Sequence, residues 1–238
     1  MDYLTKIQAE LETYIEPEKS EFLPKFFNAV PGGYGEGDQF LGIRVPNQRK
    51  VARKYYKKIS LSTVEQLLQS EYHEHRLTAL IILVYKFEKA KSEQDRAEIV
   101  DLYLKNLDYV NNWDLVDSSA DKILGAYLFD KERKLLYELA DSNDLWRERV
   151  AVIATFYFIR QGQFTDTLAL ARKLLNHHHD LIHKAVGWML REVGKRDFAT
   201  EYQFLRQHYQ PMPRTMLRYA IEKFELELRQ QFLKGLVE

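Results

Sequence analysis

The sequence predicts an all-α protein, and three observations carry that prediction. Prolines stand at 17, 24, 31, 46, 211 and 213, so none falls between Asn47 and Gln210. That interval holds four glycines, Gly125, Gly162, Gly187 and Gly194, and is rich in Leu, Ala, Glu, Lys and Arg, the strong helix formers. Apolar residues recur at three and four, as in Leu77, Leu80, Ile81 and Val84 or Ala185, Trp188 and Met189, while no run alternates long enough for a strand.

From the N-terminus onward, the first residues, MDYLTKIQAELE, carry charges throughout and lack the apolar centre of a signal peptide. The longest nearly apolar stretch, Val150 to Ile159, is about half of the roughly 18 residues a membrane span needs. A cytoplasmic protein with no membrane partner is expected. The absence of cysteine excludes disulfides, thiol catalysis and thiolate-bound metal. PGGYGEGD, at 31–38, holds four glycines, yet no strand precedes it and no Lys-Ser/Thr follows. It is a loop capping the first helices rather than a phosphate-binding fingerprint.

A basic stripe comes next. Arg44, Arg49, Lys50, Arg53, Lys54, Lys57 and Lys58 lie within fifteen residues that contain no acid. Arg49, Lys50, Arg53, Lys54 and Lys57 share one helical face, with Tyr55 and Tyr56 interleaved. The stripe reads either as a solvated face or as a set of phosphate contacts, and the missing acid favours phosphate.

Beyond the stripe, five segments share a polar start followed by a small and apolar run: EHRLTALIILV, WDLVDSSADKIL, LWRERVAVIATF, LIHKAVGWMLR and RTMLRYAIEKF. Aligning Arg76, Asp117, Arg149, Lys184 and Arg218 gives spacings of 41, 32, 35 and 34. Periods of this size, two helices each, belong to HEAT-like helical repeats. One curved solenoid domain over residues 1–238 is therefore expected, with the second helix of each pair lining its concave face. Four of the five register positions are cationic, which suits a polyanion; ordinary helix-start residues would give the same charges. The exception is Asp117. The chain as a whole is neutral, with 35 Lys+Arg against 35 Asp+Glu.

Other motifs carry less. His177, His178 and His179 are adjacent, and His179 and His183 have i,i+4 spacing, but no HExxH and no third ligand at a familiar distance accompany them, so no metal site is expected. GxSxG is absent. Trp113 and Asp117 would be i,i+4 neighbours on one helix; Arg149 opens a later segment, and Trp188 lies one turn after Lys184.

FLGIRVPNQRK (Phe40 to Lys50), WDLVDSSADKIL, LWRERVAVIATF and HKAVGWMLREVGKRD (His183 to Asp197) resemble the AlkD family of bacterial DNA alkylation-repair glycosylases, over nearly the whole chain. The resemblance implies a HEAT-like solenoid holding duplex DNA on its concave face. It also implies base excision repair by hydrolysis of the N-glycosidic bond of N3- and N7-alkylated purines, with no metal or other cofactor and no extrusion of the base. Carried onto this chain, Asp117 matches the catalytic carboxylate. Trp113 and Trp188 match the aromatics around the deoxyribose, and Arg149 the arginine of that site. DNA contacts are expected from Arg44, Arg49, Lys50, Arg53, Lys54, Lys57, Lys184 and Arg218. A monomer is expected, located with the nucleoid when on DNA. The rival expectation is a non-catalytic helical-repeat adaptor for DNA or protein.

Overall fold

The computed structural model describes residues 2–237, and among them helices account for nearly all regular structure. No β-strand occurs among the described residues; Gln39 and Tyr72 form a parallel bridge outside any strand. The chain forms two compact units, one ending at Ser119 and the other starting at Ala120.

The first unit holds α1 (Tyr3–Glu12), α2 (Pro17–Phe26), α3 (Val45–Tyr55), α4 (Leu61–Leu68), α5 (His73–Lys89), α6 (Glu93–Lys105) and α7 (Trp113–Ser119). Their starts follow side-chain chemistry. Asp2 and Ser60 accept backbone N–H groups of Thr5 and Thr63, and Ser92 with Asp95 closes a capping box on α6. α5 is the centre of the unit: every residue from His73 to Val84 is buried, and α3, α4, α6 and α7 pack around it. The apolar face read at Leu77, Leu80, Ile81 and Val84 is core. α2 contributes no fully buried residue and leaves Phe22 and Phe26 exposed.

The second unit opens on a π-helical turn, Asp121–Gly125, that lies against α10 (Leu145–Arg160). A Cβ at Gly125 would stand 2.2 Å from the Ala154 carbonyl oxygen, so only glycine permits this approach. The other helices are α8 (Ala126–Leu128), α9 (Lys134–Ala140), α11 (Thr165–Lys173), α12 (Asp180–Gly194), α13 (Phe198–His208), α14 (Arg214–Ala220) and α15 (Leu226–Lys234). α10, α12 and α14 pack successively on one another, with α9, α11 and α13 joining from their pairs.

The all-α expectation and the repeat register both meet the structure. Arg76, Asp117, Arg149, Lys184 and Arg218 fall on α5, α7, α10, α12 and α14, each at the fourth or fifth residue of its helix. The recurring spacing is thus a recurring place on the second helix of successive pairs.

Candidate functional site

In the first unit, α7 carries both Trp113 and Asp117. Asn112, fully buried, accepts the Trp113 backbone N–H at 2.9 Å, which fixes the first turn. Trp113 is half-buried: its ring stacks on Phe27 (centroids 5.3 Å apart) and meets the edge of Phe26 (5.9 Å). Asp117 follows one turn later, also half-buried. Helical spacing puts both residues on one face, as the sequence indicated. Beside Trp113 a cleft of about 450 Å³ is lined by Leu23, Phe26, Phe27, His73, Trp113 and Asp114, with Lys19 and Arg44 among its other residues.

Beneath this cleft lies an ionic cluster that sequence reasoning missed. The two ring nitrogens of His73 lie against carboxylates, Asp38 at 3.1 Å and Asp114 at 2.9 Å. Asp38 also pairs with Arg76 at 2.6 Å. Burial opposes a charged imidazole, but the hydrogen bonds to Asp114 and Asp38 and the Asp114 charge prevail, and the His73 pKa rises to about 9. Burial pushes the Asp38 carboxyl up, yet the His73 hydrogen bond and the Arg76 guanidinium outweigh it and hold Asp38 below the usual carboxylate range. Glu74 accepts the backbone N–H groups of Leu41, Gly42 and Ile43, which turns the chain into α3. The signal in the sequence was the run His73–Arg76, four polar residues opening a helix that is otherwise core.

Arg76 requires a correction. Its register position suggested a cation facing a polyanion; instead it is 4% exposed and neutralised by Asp38, so it braces the 31–38 loop from inside. That loop, read as a cap, is a run of turns tied down by Asp38 and by the approach of Gly35, where a Cβ would stand 2.6 Å from the Phe27 carbonyl oxygen.

The basic stripe forms α3 and the turn after it, but the acids missing from its own sequence arrive from earlier in the chain. Glu16 pairs with Arg44 and Glu10 with Lys54, each at 2.6 Å. Lys50 lies over the Tyr14 ring and Lys57 over Tyr56. Arg49 and Arg53 are exposed, and no carboxylate pairs with either among the described residues. A shallow basin of about 490 Å³ runs between Pro46, Arg49, Lys50, Arg53 and Lys54.

In the second unit, Asp144 caps α10, accepting the Trp146 and Arg147 N–H groups. Arg149 is 4% exposed, and its Nη1 donates to the Leu181 carbonyl at 2.6 Å, joining α10 to the start of α12. Lys184 bridges to Asp180 at 2.7 Å, whereas Arg218 is exposed, with no carboxylate partner among the described residues. Trp188 is half-buried against Phe156, and its indole N–H donates to Glu192 at 3.3 Å. Glu192 is buried and also holds Lys195 and Arg196. Burial pushes the Glu192 carboxyl up, but these partners outweigh it and leave the group ionised beneath the tryptophan. Gly187, next to Trp188, lies where a Cβ would approach the Met216 carbonyl oxygen to 2.4 Å.

The histidine run has structural partners. His177 faces Glu148 at 2.9 Å, and His179 caps α12 by accepting the Leu181 N–H. No group of three His, Cys, Asp or Glu suited to a metal ion occurs among the described residues, and no helix there is long and apolar enough to cross a membrane.

Comparison with known proteins places this chain in a family. A solved structure from Enterococcus faecalis, described as a predicted DNA alkylation repair enzyme, superposes with a TM-score of 0.68. It is 16% identical and covers 89% of this chain and 97% of its own, so the likeness concerns the fold. Comparison with curated proteins returns no match. Residues 7–224 match the family of DNA alkylation repair enzymes, and this chain belongs to that family.

Proposed function

We propose that the protein is a DNA glycosylase that hydrolyses the N-glycosidic bond of cationic N3- and N7-alkylpurines in duplex DNA. The observation that carries this reading is the placement of Asp117 one turn beyond Trp113 on α7, the tryptophan itself being stacked on Phe27. Membership of the DNA alkylation repair enzyme family supplies the substrate class.

The chemistry asks little of the protein beyond charge and position. An N-alkylated purine is a cation, so it leaves as a neutral base and needs no acid to protonate it. As the C1′–N bond breaks, its electron pair passes to the purine and the sugar becomes an oxocarbenium ion. A carboxylate near that carbon stabilises the cation and orients the water whose oxygen forms the new C1′–O bond; the released proton passes to solvent or to the carboxylate. Asp117 takes this role. An indole face against the deoxyribose favours a cationic nucleotide by about 0.5–2 kcal/mol, a role we assign to Trp113, one turn before Asp117; Trp188, in the second unit, is a second candidate for such a contact. Neither a resident metal nor extrusion of the base is required by this scheme.

Binding follows from cations whose charge is not already offset. Of the cations picked out in the sequence, Arg49, Lys50, Arg53, Lys57 and Arg218 are exposed with no carboxylate partner among the described residues, and we assign them phosphate contacts; Arg149 is a buried brace between α10 and α12. Release rates from two otherwise identical duplexes test the chemistry, one carrying 7-methylguanine and the other hypoxanthine, which leaves from a neutral nucleotide. Rapid release of the first with none of the second is expected. Equal release of both would contradict a mechanism that depends on a cationic leaving group.

A further inference from the structure

We propose that His73, gripped between Asp38 and Asp114, is a positioning residue that fixes the start of α7 and thereby the placement of Trp113 and Asp117. The inference rests on the reading of Asp117 as the hydrolytic carboxylate.

With both carboxylates ionised, the geometry calls for a charged imidazole. A neutral ring offers one donor and one acceptor. Here both nitrogens face carboxylate oxygens, Asp38 Oδ2 on one side and Asp114 Oδ2 on the other. A neutral ring would turn a lone pair toward one of them, whereas the imidazolium donates to both. Phe27 (4.7 Å) and Phe40 (4.9 Å) pack against the ring, and at 2% exposure it has little access to water as a substitute partner. The surrounding charges balance: Asp38 from the loop and Asp114 from α7 against His73 and Arg76 from α5, while Glu74 is occupied by three backbone N–H groups. Lys19 and Arg44 stand farther out around the cleft.

Two links run from this ring to the catalytic face. Asp114 is the second residue of α7, adjacent to Trp113 and three residues before Asp117. Phe27 contacts both His73 and Trp113, with ring centroids 4.7 and 5.3 Å away. Losing the proton removes one of the two carboxylate bonds and frees the first turn of α7 at the point where Trp113 is set. Lesion hydrolysis should therefore depend on a proton that never reaches the substrate.

The test separates positioning from mere stability. Glu201, in the second unit, also titrates near 9, so all measurements use a Glu201→Gln background. Single-turnover excision should hold steady from pH 7 to 8 and fall at least tenfold by about pH 10, with duplex affinity unchanged within twofold. In Asp114→Asn the fall should begin at least one pH unit lower, because His73 has lost a carboxylate. The indole N–H resonance of Trp113, identified by Trp113→Phe, should shift with the His73 titration in the unsubstituted site, a readout that needs neither a stable Asp114 variant nor turnover. An indole resonance that stays fixed from pH 7 to 10, or an excision profile that Asp114→Asn leaves in place, would overturn the proposal. Indole titration without excision at any pH would leave the clamp standing and remove the glycosylase reading.

Discussion

Glu201 is buried on α13 against Gly194, with one carboxylate oxygen lacking a hydrogen-bond partner among the described residues. Burial raises its pKa to about 9 despite the nearby Arg191 charge, with Glu192 adding to the rise. A carboxyl that binds its proton more tightly folded than unfolded lowers stability as pH rises from about 4.5 to about 9. His73 acts in the same direction: its contribution is complete below about 6.5 and is lost as pH rises through about 9. The melting temperature should therefore decline from neutral to alkaline pH. Glu201→Gln should add on the order of 2–3 kcal/mol at pH 7 and little below pH 4.5, as thermal unfolding at the two pH values will read. At this scale the sequence exposed part of the site and hid the rest. Trp113 and Asp117 sit on one short helix, so i,i+4 spacing made their juxtaposition visible. Asp38, His73 and Asp114 come from a loop and two helices that only tertiary packing brings together, and no local pattern announces them.

Helices α3 and α12 show how an element's environment decides what its sequence can do. The α3 stripe was legible as a basic face, but its neutralising acids lie 28 and 44 residues upstream, beyond any local window. Arg49 and Arg53, which lack such partners among the described residues, should carry the affinity. Replacing both with Glu should weaken duplex binding and flatten the salt dependence by about two counterions, with the fold intact by circular dichroism. Lys54→Ala should change the slope little, since Glu10 already offsets that charge. On α12, Gly187→Ala would gain about 1 kcal/mol of helix propensity in an isolated helix. Here the new Cβ would meet the Met216 carbonyl oxygen at 2.4 Å and the Tyr219 Cβ at 2.6 Å, forcing α12 from α14. Overpacking of this kind costs about 1–3 kcal/mol, so urea denaturation should show net destabilisation.

Across the whole molecule, the helical class and repeat register were readable because both rest on periodicity, and periodicity survives divergence to 16% identity. The same register was less informative about charge. Of its cations, Arg76 and Arg149 are buried and Lys184 pairs with Asp180, which leaves Arg218 as the exposed one without a carboxylate partner among the described residues. A chain with no net charge should bind undamaged duplex weakly and with shallow salt dependence, so on the proposed mechanism selection falls on the lesion site rather than on general affinity. The proposed hydrolysis turns on one carboxylate. Single-turnover release of 7-methylguanine from a methylated duplex, with the unsubstituted protein and Asp117→Asn side by side, tests it most directly. Release by the unsubstituted protein, with a variant that binds the same duplex but frees no base, is the predicted result. Release at the same rate by both, or binding by both with release by neither, would contradict it.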